Sequence, residues 1–233
     1  MRPVIKGSTP TDSEGNDIIF SKYDRARRYL IDGIGEYCSY CERKIEANLA
    51  VEHVQPKDTN PQLALDWNNF LLACTNCNST KGKKTVNLNE YVWPDIDNTF
   101  SHFLYNQTGI VNISPLATEQ VLKEKIQKML DLMGLQKSPP RVGSADWERA
   151  SDRRYEHRIQ AWSDANHYMD KYNKSSDAIR NLMIPLIKTI VIHQGFWSIW
   201  MKSFENFPEV QIELINSFPG TNITYFPNLI PTI

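Results

Sequence analysis

Two Cys-x-x-Cys pairs, Cys38/Cys41 and Cys74/Cys77, bracket a stretch holding Glu52-His53 and Asn69, and Asn78 follows directly on the second pair. The chain has no other cysteine. Pairs about thirty residues apart suit a tetrahedral structural zinc site, because each tight knuckle donates two thiolates. The other readings are two disulfides or four buried free thiols. A disulfide inside each knuckle would make two redox motifs flanking an apolar strand, an odd arrangement. With sulfur at all four positions no place remains for water, so this Zn2+ holds the fold and leaves chemistry to its neighbours.

Those neighbours fall in order. Glu52-His53 closes a predicted strand, Asn69 sits at the edge of a second, and Asn78 and Lys81 enter a short helix beside Cys77. Over about residues 37–84 this ordering resembles the HNH endonuclease family. Its ββα-metal finger sets an acidic residue and a histidine on one strand and an Asn or His on the following helix. Hydrolysing a phosphodiester needs a deprotonated water in line with the leaving oxygen, and charge stabilisation on the phosphate. A neutral imidazole can take that proton, so His53 is the candidate general base. Glu52 and Asn78 offer hard oxygen ligands for one catalytic Mg2+ or Mn2+. Glu52 stands where the family often has Asp or His. Carried over from the family, Asn69 is mainly structural, its amide tying the long loop and helping to orient His53.

These residues need a scaffold. Tyr23, Ala26, Leu30 and Ile34 have helical spacing within 19–34, and Gly35 ends that helix before Cys38. Residues 47–54 and 70–73 read as strands joined by a turn-rich loop with two prolines, and a short helix begins near Cys77. The first fifteen or so residues read as a polar arm. Segments 100–105 and 110–113 read as a hairpin. Helices are expected from Thr118 to Gly134, over 145–172, and from Ser176 or Asp177 towards Phe204 with bends at Pro185 and Gly195. A last one opens at Pro208. The fold class expected is α+β: a zinc-stapled ββα-metal finger with an N-terminal helix, joined to a mainly α-helical C-terminal region. The division expected is a nuclease domain at 1–98, with its finger core at 37–84, and a helical domain at 99–233.

Composition narrows the partners. At 233 residues and a net charge of −1, the chain has no global attraction for nucleic acid, so any basic surface is local. Lys81, Lys83 and Lys84 follow the active helix and Lys57 follows His53, a set that could neutralise phosphates with little sequence preference. Arg149, Arg153, Arg154 and Arg158 recur mostly every three or four residues, as either a solvated basic face or a backbone-contact surface. The spacing of Phe196, Trp197, Trp200 and Phe204 describes an aromatic stripe, more often core than docking surface. No apolar leader is evident and the longest apolar run, 182–192, is broken by Pro185 and Lys188, so a cytoplasmic chain without membrane contact is expected.

The resemblance extends beyond the finger. The motifs MRPVIKG at the start, GEYCSYCE at 35–42, VEHVQPK at 51–57, WNNFLLAC at 67–74 and CNSTKG at 77–82 are similar to one subset of HNH proteins. That subset is the Septu-type (PtuB-like) antiphage nucleases and their retron-associated relatives. The resemblance implies an effector endonuclease of bacterial phage defence. It would act with an ABC-like ATPase and, in retron systems, also with a reverse transcriptase and its RNA–DNA hybrid. No G-x-x-x-x-G-K-[ST] occurs here, so nucleotide-driven control falls to another subunit. DNA is the leading substrate. Two other readings stay open: cleavage of structured RNA such as transfer RNA, and a zinc-finger binding module that docks nucleic acid or protein without cutting.

Overall fold

The computed structural model describes residues 1–229. After a 3-10 turn at Tyr23–Ala26, helix α1 (Arg27–Ile34) buries Leu30 and Ile34 and stops at Gly35, whose φ of 79° a side chain would strain. Strand β1 (Ala50–His53) pairs antiparallel with β2 (Phe70–Ala73), in the register Ala50↔Ala73 to His53↔Phe70. Every residue of β2 is buried, as befits Phe-Leu-Leu-Ala laid between α1 and the rest of the finger. Helix α2 (Thr75–Lys81) follows at once and completes a ββα unit.

Beyond it come a four-residue helix α3 (Thr99–His102) and a small ladder of β3 (Phe103–Leu104) with β4 (Asn112–Ile113). Next are α4 (Gln120–Met133), α5 (Ala145–Arg149), α6 (Arg154–Asn173), α7 (Asp177–Gln194), α8 (Trp197–Ser203) and α9 (Pro208–Ser217). The α+β class and the helical C-terminal region are as expected. Helix α4 packs behind α2, and α6 packs on α8. One buried cluster runs from Leu30 and Phe70 through Met129 and Leu130 to Trp197, Trp200 and Phe204, so the finger and the helices share a core.

Several expectations are corrected. The first half of the strand read over 100–105 is helix α3, with only Phe103–Leu104 in the ladder, and the helix read towards Phe204 is two, α7 and α8, parted at Gly195. The helix read over 145–172 is two: Ala150 adopts φ 46° and ends α5, and α6 starts afresh at Arg154. The four arginines therefore do not share a face. Arg154 and Arg158 are each 2% exposed, and only Arg149 and Arg153 face solvent. The polar arm is tied down at its start, with Met1 and Val4 buried, Val4 bridged to Thr221, and the Asn222 N–H donating to the Pro3 carbonyl at 2.9 Å. The aromatic stripe is core: Phe196, Trp197, Trp200 and Phe204 are all at most 3% exposed. Pro185 sits inside α7 without ending it. Among the described residues, no helix is long and apolar enough to cross a membrane.

Candidate active site and zinc centre

The four cysteine sulfurs lie within 4.8 Å of one another, all buried. Cys41 Sγ and Cys74 Sγ are 3.7 Å apart. Zinc–sulfur bonds of about 2.3 Å at tetrahedral angles put sulfurs about 3.8 Å apart, so the donor set fits a zinc ion by kind, number and spacing. The second knuckle also starts the helix: Cys74 is the N-cap of α2, its sulfur accepting from the Cys77 N–H at 3.4 Å. A thiolate at a helix N-terminus is favoured by the exposed N–H groups there. The Cys74 sulfur thus fixes where α2 begins, and thereby where Asn78 projects.

His53, at the end of β1, borders a cavity of about 240 Å³ with Tyr23, Glu52, Lys57, Asp58, Asn78 and Lys83. Its ring is half-buried between Tyr23 and Phe70, edge to face with both at centroid distances of 4.9 and 5.2 Å. His53 Nε2 lies 3.0 Å from the Ala64 carbonyl oxygen. A carbonyl can only accept, so Nε2 carries the hydrogen, and in the neutral ring Nδ1 holds the free lone pair. Burial pulls the imidazole below its ordinary range and the Lys57 charge adds to this; the bond to Ala64 opposes both. The side chain is therefore in its neutral, proton-accepting form at pH 7.

Asn69 positions that carbonyl. Its Oδ1 accepts from the Gln55 N–H at 2.7 Å, and its Nδ2 donates to Gln55 O at 2.9 Å and Leu63 O at 3.2 Å. The carboxamide imitates a backbone peptide and carries the β1–β2 pairing one step past His53. It grips the connecting loop one residue before Ala64. Asn69→Ala is expected to cost about 1–3 kcal/mol by leaving these half-buried backbone groups unpaired, read as a lowered midpoint in urea, with earlier protease cutting within 55–66.

Glu52 is only 2% exposed. Its Oε1 is 2.6 Å from Lys81 Nζ, and its Oε2 accepts from the Tyr40 hydroxyl at 2.6 Å. Lys81 Nζ also donates to the His53 carbonyl at 2.6 Å, and the residue is 1% exposed. This differs from the expectation of a phosphate-contacting Lys81: the ammonium is turned inward because a buried carboxylate needs a counter-charge. Lys81→Met should therefore destabilise the chain by about 3–5 kcal/mol in denaturant unfolding, with Glu52→Gln added to it restoring much of the loss. Lys83, exposed, pairs with Asp58. Lys57 lies over the Tyr23 ring at 4.1 Å, and Lys84 is exposed. The Asn78 side chain is exposed, borders the cavity, and makes no hydrogen bond among the described residues.

Sequence reasoning passed over Tyr40, the Ala64 carbonyl and Tyr23. No local pattern announces a backbone acceptor eleven residues away, or an aromatic contributed by another element.

A zinc-ready sulfur cluster joined through one ββα unit to a histidine, an asparagine and a carboxylate around one cavity is the arrangement that the family comparison meets. The family model of HNH endonucleases matches residues 38–84. Residues 38–84 are an HNH endonuclease domain. Over 76 residues the chain is also 33% identical to the Septu protein PtuB of Bacillus thuringiensis, a match covering 31% of this chain and 30% of that protein. The chain thus spans less than a third of the length of the curated relative it matches. Among the described residues, nothing from the helical region borders the His53 cavity: the residues lining it run from Tyr23 to Lys83. The HNH domain and Tyr23 of the 3-10 turn before α1 therefore build the site, and α4 packs behind α2.

Proposed function

We propose that this chain is a metal-dependent endonuclease that hydrolyses phosphodiester bonds of nucleic acid, with DNA as the leading substrate. The observation that carries the reading is the tautomer of His53: the bond to Ala64 leaves Nδ1 as proton acceptor in a ring that burial keeps neutral. His53 takes the proton of the attacking water. Asn69 holds the loop that holds the ring. Asn78 offers a carboxamide oxygen with no other partner among the described residues, and each Glu52 oxygen keeps a second lone pair beyond its bonds to Lys81 and Tyr40. These two residues would hold a divalent ion, Mg2+ or Mn2+, which when bound supplies positive charge to the scissile phosphate and the departing oxygen. Lys57, Lys83 and Lys84 supply cations at the mouth, and Lys81 acts from inside by fixing Glu52.

The likeness to the Septu protein supports a role in antiphage defence. We assign the nuclease unit to 1–98. The helices of 99–233, which leave the cavity free, we assign to docking a restraining ABC-like ATPase. A retron reverse transcriptase with its RNA–DNA hybrid is the further partner to test in such systems. Purified full-length chain, alone and with the ATPase encoded beside it, is offered duplex DNA and total RNA with Mg2+ or Mn2+. Cleavage of DNA that stops on chelating the added cation is expected. RNA cut in preference to DNA would move the substrate to structured RNA. Tight binding with no cutting under any cation would make the protein a zinc-finger binding module.

A further inference from the structure

The sulfur cluster has a cationic neighbour on a distant part of the chain. Arg154, the first residue of α6, donates from Nη1 to Cys77 Sγ at 3.2 Å and to the Met133 carbonyl at 2.8 Å. Its Nη2 reaches the Gly134 carbonyl at 3.2 Å, and the guanidinium forks onto Asp152 at 2.8 and 2.6 Å. One turn on, Arg158 is as deeply buried and is poorly partnered. Its Nε and Nη2 meet only the carbonyls of Gly109 and Leu135, at 2.5 and 3.2 Å, and its Nη1 has no hydrogen-bond partner. Among the described residues no carboxylate forms an ion pair with it.

A buried guanidinium without an opposing charge is strongly unfavourable, so something anionic must face it. Arg158 stands one turn after Arg154 on the same face of α6, the face from which Arg154 reaches Cys77 Sγ, and its orphaned Nη1 is buried there. Four thiolates around one divalent zinc leave a centre of net charge about −2, buried where water cannot screen it. Two buried guanidiniums match that charge. Asp152, about a quarter exposed, shares Arg154 with Cys77 through its two-pronged ion pair, and Arg158 has no such carboxylate among the described residues.

We propose that Arg154 and Arg158 are the internal counter-charge of the tetrathiolate zinc centre, and that this pairing docks α6 on the HNH domain. The inference rests on the zinc reading of the four cysteines and is independent of catalysis. An N–H donor on Cys77 lowers the energy of the sulfur lone pair and draws charge from it, which keeps the thiolate bound to metal rather than protonated or oxidised. Arg154 acts through its contact with Cys77 Sγ and Arg158 through its buried charge, and both are positioning residues.

The test uses full-length chain loaded with Co2+ in place of Zn2+, since the sulfur-to-cobalt absorption reports electron density on sulfur. Arg154→Met is expected to move that band to lower energy. Arg154→Met and Arg158→Met should each release metal to a chelator about tenfold faster or more, the effect of losing an outer-sphere partner. Arg154→Lys and Arg158→Lys, which keep the charge, should retain metal better than the Met forms. Arg149→Met, on an exposed residue of α5, should match the parent. Should the Met forms not fold, folded and metal-retaining Lys forms give the same ranking and support the proposal. Equal impairment of Met and Lys forms would mean packing alone and overturn it, as would Met forms with an unshifted band and the parent release rate. A parent chain with no four-sulfur cobalt spectrum would remove the zinc reading itself.

Discussion

His53→Ala should abolish cutting while leaving the protein folded and its zinc in place. The ring is half-buried, stacked edge-on against Tyr23 and Phe70, and carries no structural hydrogen bond beyond that to Ala64. Removing it costs some packing but leaves the β1–β2 register and all four sulfurs untouched. A positioned general base contributes about 10²–10⁴-fold to rate, and the loss should appear in kcat more than in KM, because the proton moves only in the transition state. His53→Gln is an informative companion. A side-chain amide can still reach the Ala64 carbonyl yet has no proton-accepting nitrogen, so it should keep the loop ordered and cut no better than the alanine variant. Single-turnover cleavage, with zinc content measured on the same samples, checks both. Wild-type rates from either variant would sink the mechanism.

The second large effect is on folding. Cys74 belongs to the four-sulfur set and is also the N-cap of α2; serine is itself a good N-cap, so Cys74→Ser keeps the helix start and removes the soft donor alone. Structural zinc contributes about 10–16 kcal/mol in small fingers, comparable to the whole stability of an ordinary domain of about 5–15 kcal/mol. The variant should lose its zinc and unfold residues 38–84. Because the finger shares its core with the helices, the loss should spread to Met129, Leu130 and the Trp197–Phe204 region rather than stay local. Zinc content by elemental analysis and hydrogen exchange resolved along the chain would read this out. Full zinc occupancy with native exchange in α2 is the result that contradicts it. The two variants together separate chemistry from folding: one loses cutting and keeps the fold, the other loses the fold.

Much of this was written along the chain in order. The knuckles, the acid–histidine pair, the two asparagines and the ββα order depend on residues close in sequence. Thiolate spacing and helix capping are local physics, so the zinc set could be picked out directly, and the resemblance to HNH endonucleases marked Glu52-His53, Asn69 and Asn78. The same holds for Gly35, Gly134 and Pro208 as helix punctuation.

What only the tertiary structure decided is how charged and aromatic side chains are used once the core closes. Lys81 reads as a surface cation and is instead a buried partner of Glu52. Arg154 and Arg158 read as one face of a basic helix and are instead buried, Arg154 against Cys77 Sγ and Arg158 against the Gly109 and Leu135 carbonyls. The choice of Nδ1 as the free nitrogen of His53 comes from a carbonyl at Ala64 that no motif marks. In each case the reason is the same. A charge or a ring nitrogen takes its role from whatever opposes it across the fold, and the cost of burying it unpaired is set by atoms far away in sequence.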